Sequence, residues 1–334
     1  MTDRILLTHG SGGRTAHRLI EDVFLAAFDN PMLAAMEDAA TAEFSGRLAF
    51  TTDGFVVHPL FFPGGDIGKL AVCGTVNDLA MSGAVPLYLS LGLIIEEGLP
   101  VADLRRVVES IAATAREAKV SIVTGDTKVV HRGKADALFI TTAGVGRVRD
   151  GVTISASSAR PGDRILINGS IGDHGIAVVS QREGLSFGGD VRTDCAPLGG
   201  LVAAMLEACP GVRCLRDPTR GGVATTLNEI ADRSAVGIRL VEAAIPVNEA
   251  VVGACELLGF DPLYVANEGK VIAVVPAACA DATLAAMRAH PYGARAAIIG
   301  EVTGDDPGRV VLRTRLGTTR IVEMLTGDLL PRIC

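Results

Sequence analysis

The sequence predicts an α/β protein of two domains, and three observations carry that reading. At roughly 150 residues per domain, 334 residues divide into about two, each large enough to bury a core. Helical and strand-like segments alternate through the whole length, with no low-complexity region and no short repeat. Near the middle, Ser155-Ala156-Ser157-Ser158-Ala159-Arg160-Pro161-Gly162-Asp163 loses all periodicity and reads as a boundary. The predicted division is 1–155, 156–326 and a mobile tail over 327–334 that ends in Cys334.

In the first half, Leu48 to Thr52, Pro86 to Ile95, Val120 to Thr124 and Ala137 to Val145 read as strands. Between them, Ile67 to Met81 sets Leu70, Cys73, Val76 and Ala80 at helical spacing, with Asp66 as its N-cap. After Pro100, Leu104, Val107, Val108, Ile111 and Ala115 repeat that spacing, with Asp103 and Glu109 on the polar side. The second half opens on a strand from Arg164 to Asn168. Helices are predicted at Ile176 to Arg182, Pro197 to Ala208, Val223 to Arg233, Asn248 to Leu257 and Ala277 to Ala289. They alternate with strands near Gly237 to Val241, Lys270 to Val275, Ala296 to Val302 and Arg309 to Arg315.

Composition narrows the function classes. With 31 basic and 38 acidic residues the net charge is −7, so no global positive field draws nucleic acid or anionic lipid. Aromatic residues make up 4%, with no tryptophan and three tyrosines, which argues against a surface that stacks bases. A mean hydropathy of +0.38 raises the question of a membrane span. The longest uncharged stretch, Leu79 to Ile95, falls short of the roughly 18–20 residues needed and is broken by Ser82 to Pro86. Met1 to Leu25 lacks the apolar run of a signal peptide, so a cytoplasmic protein is predicted. The cysteines, seven in number and without a C-x-x-C, predict a reducing compartment with neither a disulfide framework nor a zinc site.

The familiar phosphate signatures fail. Gly64 to Leu70 has the wrong glycine-to-lysine spacing for a P-loop, and no strand-G-x-G-x-x-G-helix unit occurs. The first half instead holds a set of acids in glycine-rich or helical settings: Asp53 in TTDG, Asp78 in TVNDL beside Asn77, and Asp126 in TGDTK. Any one Asp-Gly is ordinarily a solvated turn. Together these are the hard oxygen ligands that Mg²⁺ between protein and triphosphate requires, and Asp78 would be costly to bury unpaired. His9-Gly10-Ser11-Gly12-Gly13-Arg14 reads either as a loop wrapping N–H groups around an anion or as a plain terminal segment.

In the second half, Gly172-Asp173-His174-Gly175 and Arg216-Asp217-Pro218-Thr219-Arg220-Gly221-Gly222 each lead into a helix, as an anion site or as a capped turn. Asn267-Glu268-Gly269-Lys270 puts an acid just before a strand, where most acids are solvated. His131 and His174 read as surface groups. The tail is the sharpest feature, because its thiol has no chain beyond it. Eight residues from Gly327 reach roughly 26 Å when extended, far enough to enter a site on the same protein and to be offered to another; the alternative is a frayed end with an accidental cysteine.

Taken in order, HGSGG, TTDGF, DIGKLAVCGTVNDLAMSGA, GDTKVV, GDHG, RDPTRGG, NEGK and the final PRIC closely resemble the HypE family of hydrogenase maturation carbamoyl dehydratases. That family sits in the ATP-binding superfamily of aminoimidazole ribonucleotide synthetase, selenophosphate synthetase and thiamine monophosphate kinase. The resemblance implies a two-domain PurM-like fold, an N-terminal domain forming a dimeric β-barrel with a second copy, and a C-terminal α/β domain. It implies ATP and Mg²⁺, with Gly10, Ser11, Gly12, Gly13, Asp53, Asn77, Asp78, Asp126 and Asp217 around the nucleotide and Asp53, Asp78 and Asp126 on the metal. The implied reaction is ATP-dependent dehydration of an S-carbamoyl group on Cys334 to a thiocyanate, with Lys128 stabilising charge and Glu268 removing a proton. The implied partners are a HypF-like carbamoyltransferase and a HypC–HypD complex that accepts the cyanide ligand of the [NiFe]-hydrogenase iron. The rival readings are a kinase or synthetase of the same superfamily acting on a small acceptor, and a non-enzymatic carrier scaffold.

Overall fold

The computed structural model describes residues 3–11, 13–36, 39–185, 190–327 and 332–334. Gly12 of the glycine loop and residues 328–331 of the tail lie outside the described residues. The chain begins with short helices, α1 (Arg14–Leu19), α2 (Ala26–Phe28) and α3 (Pro31–Ala34), with a π-helical turn over Ile20–Leu25 between the first two. None was legible in the sequence, because segments of 3 to 6 residues are too short to display a helical period.

The first sheet contains β1 (Leu48–Phe55), β4 (Ala84–Glu96), β5 (Ser121–Val130) and β6 (Leu138–Val148), in the order β1-β6-β4-β5. A two-stranded ribbon, β2 (Phe61–Phe62) with β3 (Gly65–Asp66), precedes α4 (Ile67–Met81). Asp66 caps α4, its carboxylate accepting from Gly68 N at 2.7 Å and Lys69 N at 3.0 Å. Leu70, Ala71, Val72, Cys73, Val76 and Leu79 are all buried, so α4 is apolar around its circumference and lies inside the molecule. By contrast α5 (Val101–Ala118) is amphipathic, burying Leu104, Val107, Val108, Ile111 and Ala115 and leaving Glu109 exposed. Within this sheet β4 and β5 run parallel, and α5 is the crossover between them.

The second sheet comprises β7 (Arg164–Ile167), β8 (Cys214–Arg216), β9 (Gly237–Val241), β10 (Ile272–Val275), β11 (Ala297–Thr303), β12 (Val310–Arg313) and β13 (Thr319–Val322), in the order β13-β12-β9-β11-β7-β10-β8. Its helices are α6 (Asp173–Glu183), α7 (Gly199–Ala208), α8 (Gly222–Ser234), α9 (Glu249–Leu258) and α10 (Ala280–Ala289). The final turn of α4 places Ala80 and Met81 in the core formed by Leu166, Leu198, Leu201 and Met205, so one helix serves both halves. No helix among the described residues is long and apolar enough to cross a membrane.

One cysteine expectation is corrected. Cys209 and Cys279 form a disulfide, their Cα atoms 5.8 Å apart. Cys209 ends α7 and Cys279 precedes α10, and the packing of those helices joins positions 70 apart in sequence that no spacing motif links.

Candidate active site

A cluster of acids forms where β1 and α4 meet the loop after β8. Residues three apart on a helix share a face, so Thr75 and Asp78 of α4 both address β1. Thr75 Oγ1 donates to Asp53 Oδ2 at 2.8 Å, and Thr51 Oγ1 donates to Asp78 Oδ2 at 2.8 Å. Burial pushes the Asp53 carboxyl above its usual range and Asp78 adds to the shift, against Thr75 and Arg220. Asp217, in the loop from β8 to α8, is pushed up to about 7, first by burial and then by Asp78 and Asp53. Three carboxylates from three segments thus crowd one another, with Arg220 set against Asp53 and Arg216 against Asp217.

Glu268 lies beside this cluster and is 4% exposed. Its Oε1 is the buried side-chain polar atom left without a hydrogen-bond partner among the described residues. Burial raises its pKa well above the ordinary value, and Cys195, Asp194, Asp217 and Asp53 raise it further. The backbone that carries Glu268 is clamped on several sides. Its N–H donates to Asp194 Oδ1 at 3.1 Å, Gly269 N to Asp194 Oδ2 at 3.3 Å, and Lys270 Nζ pairs with Asp194 Oδ2 at 2.8 Å. Burial alone would raise Asp194, yet Lys270 and the hydrogen bonds outweigh it and hold the carboxyl below its ordinary range. Gly269 is required here, since a Cβ would stand 1.8 Å from the Asp194 carbonyl oxygen.

Asn77, assigned to the nucleotide by resemblance, has its amide occupied elsewhere in this chain. Its Nδ2 donates to Ala196 O at 3.0 Å and to Glu268 O at 3.4 Å, and its Oδ1 accepts from Leu198 N at 2.8 Å. It bridges the two halves of the molecule at the site.

Asp126 and Lys128 stand apart from the other acids. The rung Asp53–Thr142–Leu91–Gly125 crosses the whole first sheet, so Asp126 lies on the far edge strand, three strand spacings or roughly 14 Å away. One chain therefore does not bring Asp126 to Asp53 and Asp78. No group of three or more His, Cys, Asp or Glu able to hold a metal is preassembled among the described residues. Lys128 Nζ pairs with Asp126 Oδ2 at 3.2 Å, both side chains exposed. They open onto a cavity of about 280 Å³ whose other walls include His9, Gly10, Phe24 and Phe28. Gly10 packs so closely on β5 that a Cβ would meet Val129 N at 2.4 Å. His9 Nδ1 accepts from Leu6 N, Ser11 Oγ donates to Thr8 O, and Gly13 caps α1, so residues 6–11 form a folded turn.

The end of the tail is docked. Ile333 is buried in the first core, and Cys334 packs against the same cluster. Val56 N donates to the Cys334 backbone oxygen at 3.2 Å, and His58 N to Arg332 O at 3.3 Å. His174, expected at the surface, has no exposed area and bonds to Ile333 O. The reason is that α6 begins against β2, where the ring stands edge-on to Phe62.

Similarity to known proteins follows this geometry. The chain matches the N-terminal domain of AIR synthase related proteins over residues 36–148 and their C-terminal domain over residues 160–313. It is 59% identical over 329 residues to a carbamoyl dehydratase HypE of Azotobacter vinelandii, covering 98% of this chain and 96% of that protein. The chain belongs to the HypE family of carbamoyl dehydratases. It is an enzyme with the two-domain PurM-like α/β fold of that family. A crystal structure of the hydrogenase maturation protein HypE in complex with ATP superposes with a TM-score of 0.96 at 53% identity, covering 98% of this chain and 99% of that one. A HypE–HypF complex superposes with a TM-score of 0.82 at 52% identity, covering 92% and 99%. Within this HypE fold, sequence reasoning missed Asp194, Thr51, Thr75 and the buried role of His174. Asp194 had no signal, since it sits in an irregular loop and its partner Lys270 is 76 positions away.

Proposed function

We propose that the enzyme dehydrates an S-carbamoyl group on its own Cys334 thiol to a thiocyanate, at the expense of ATP, as the source of a hydrogenase cyanide ligand. The observation that carries this reading is Glu268, a buried carboxyl with an unpartnered oxygen, held by the segment that also holds the tail. Asp194 fixes the Glu268 backbone, and the adjacent Thr193 bonds to His174, which binds Ile333. An amide oxygen is a poor leaving group, so it first takes the γ-phosphoryl group of ATP, releasing ADP and, to solvent, one of the two amide protons, which leaves a phosphorylated imidate. The imidate nitrogen then loses its proton to Glu268 as phosphate departs, leaving S–C≡N. A raised pKa suits Glu268 to that task, because its carboxylate is a stronger base than one in water.

Mg²⁺ is compatible with the site on the chemistry of its donors. Asp53, Asp78 and Asp217 are hard oxygen ligands with surplus negative charge, and Mg²⁺ ordinarily binds one or two carboxylates together with phosphates and waters. When bound, it would offset charge on the triphosphate. Asp126, Lys128 and the cavity beside Gly10 belong to the nucleotide site on the premise of a homodimer. Four strands do not close a barrel, whereas eight do, and two copies supply eight. A HypF-like transferase loads Cys334, and a HypC–HypD complex receives the product; support for the first is the solved HypE–HypF complex.

The test is the stoichiometry of ATP use. Carbamoylated enzyme should release one ADP per modified Cys334, and unmodified enzyme none. ADP release that instead tracks an added small acceptor would favour the superfamily kinase reading, and no release at all would leave only a carrier.

A further inference from the structure

His174 makes two side-chain hydrogen bonds from a position with no exposed surface. Its Nε2 lies 2.9 Å from Ile333 O, and its Nδ1 lies 2.8 Å from Thr193 Oγ1. A carbonyl oxygen only accepts, so Nε2 carries the proton. Thr193 Oγ1 accepts from Cys195 N at 3.1 Å, and its hydroxyl proton is free to donate to the unprotonated Nδ1 of that tautomer. Thr193 is itself fixed, its N–H donating to Pro63 O at 2.8 Å. The partners thus select one neutral tautomer, and burial opposes a second proton on the ring.

We propose that His174 is the positioning residue that seats Cys334 for dehydration, by gripping the carbonyl one residue before it. This rests on the function proposed above. The other contacts of the tail are weaker candidates for that role. Arg332 pairs with Asp136 at the surface, where such pairs contribute little, the half-buried Arg182 donates to Arg332 O, and the backbone N–H groups of Val56 and His58 reach Cys334 O and Arg332 O at 3.2 and 3.3 Å, longer than the His174 bond. Release of the tail takes the acceptor away from Nε2–H, so His174 favours the docked position. Loading of Cys334 by a partner requires the undocked position, and dehydration requires the docked one. His174 therefore acts on the second step and not the first.

Three measurements test this. Cys334 labelling by a maleimide, located on the peptide that ends at Cys334, reads docking without any catalytic chemistry. His174→Phe, which keeps a ring against Phe62 but no donor, should label about five- to tenfold faster. His174→Gln, whose amide can donate to Ile333 O, should label near the wild-type rate, with Cys73, Cys195, Cys214 and Cys255 unlabelled in all three proteins as the sign of an intact fold. On carbamoylated protein, kcat for dehydration should fall by a similar factor in His174→Phe while KM for ATP holds. In wild-type protein, ¹⁵N NMR should show the Nε2–H tautomer, a reading that does not depend on any variant folding. Equal labelling of wild type and His174→Phe, a His174→Gln variant as fast as His174→Phe, or an Nδ1–H tautomer would each overturn the proposal. If wild-type protein shows docking by labelling and no ATP-dependent dehydration, the proposed reaction fails instead.

Discussion

At the scale of single residues, the site is a set of carboxylates whose surroundings give them different tasks. Glu268 is buried with its Oε1 unpartnered among the described residues, Asp194 is ion-paired, and Asp217 is crowded by Asp78 and Asp53. Glu268→Gln should still accept a carbamoyl group and then dehydrate it about 10²- to 10⁴-fold more slowly, the range for loss of a positioned base. A rate within threefold of wild type in a single-turnover assay would remove Glu268 from the mechanism. Asp217 makes a prediction about pH. Its carboxyl titrates at about 7 when folded, against 3.8 for an aspartate in the unfolded chain, so the folded chain holds the extra proton between those values. The stability it contributes is complete below about 3.8 and is lost as pH rises through 7. Asp217→Asn removes that loss, so ligand-free variant should gain at least about 2 °C in Tm over wild type at pH 8, and less at pH 5. Equal differences at both pH values would contradict the assignment of strain to this carboxyl.

At the scale of elements, α4 organises the site by turning three consecutive faces to three tasks. Thr75 and Asp78 meet β1, Asn77 meets the second half, and Ala80 with Met81 enters the second core. Asn77→Ala would leave Leu198 N and Ala196 O without their partner, and about 2–4 kcal/mol of stability should be lost in urea unfolding. A loss under 1 kcal/mol would mean water replaces the amide without penalty. The period of α4 and the alternation of β1, β4 and β6 were readable because each is long and one-sided or wholly apolar. Glu268 and Asp78 were readable as residues, yet their environment was not. Burial of Glu268 depends on Asp194, and the amide role of Asn77 depends on backbone atoms 119 or more positions away. β8, three residues long, and the N-terminal helices were illegible for want of length. The docked end of the tail was also beyond reach, because it rests on His174, 159 positions earlier.

At the scale of the whole molecule, the first sheet ends in two edge strands, β1 and β5, that lack a further strand among the described residues. On β1, Leu48 and Phe50 are 55% and 66% exposed, an apolar edge of the kind that proteins ordinarily cover. A second copy is the proposed cover, and it would also bring a second Asp126 and Lys128 toward the cluster around Asp53. Phe50→Glu should therefore sediment as a 34.5 kDa monomer and lose Mg·ATP affinity together. A monomeric wild type at micromolar concentration would contradict the barrel. The central claim, however, is that one cysteine of this chain is both substrate and carrier. Its most direct test is the mass of the peptide ending at Cys334 in carbamoylated protein, before and after Mg·ATP. A loss of one water, about 18 Da, is expected on that peptide and on no other. An unchanged mass with ATP consumed, or the same loss on another cysteine, would contradict it.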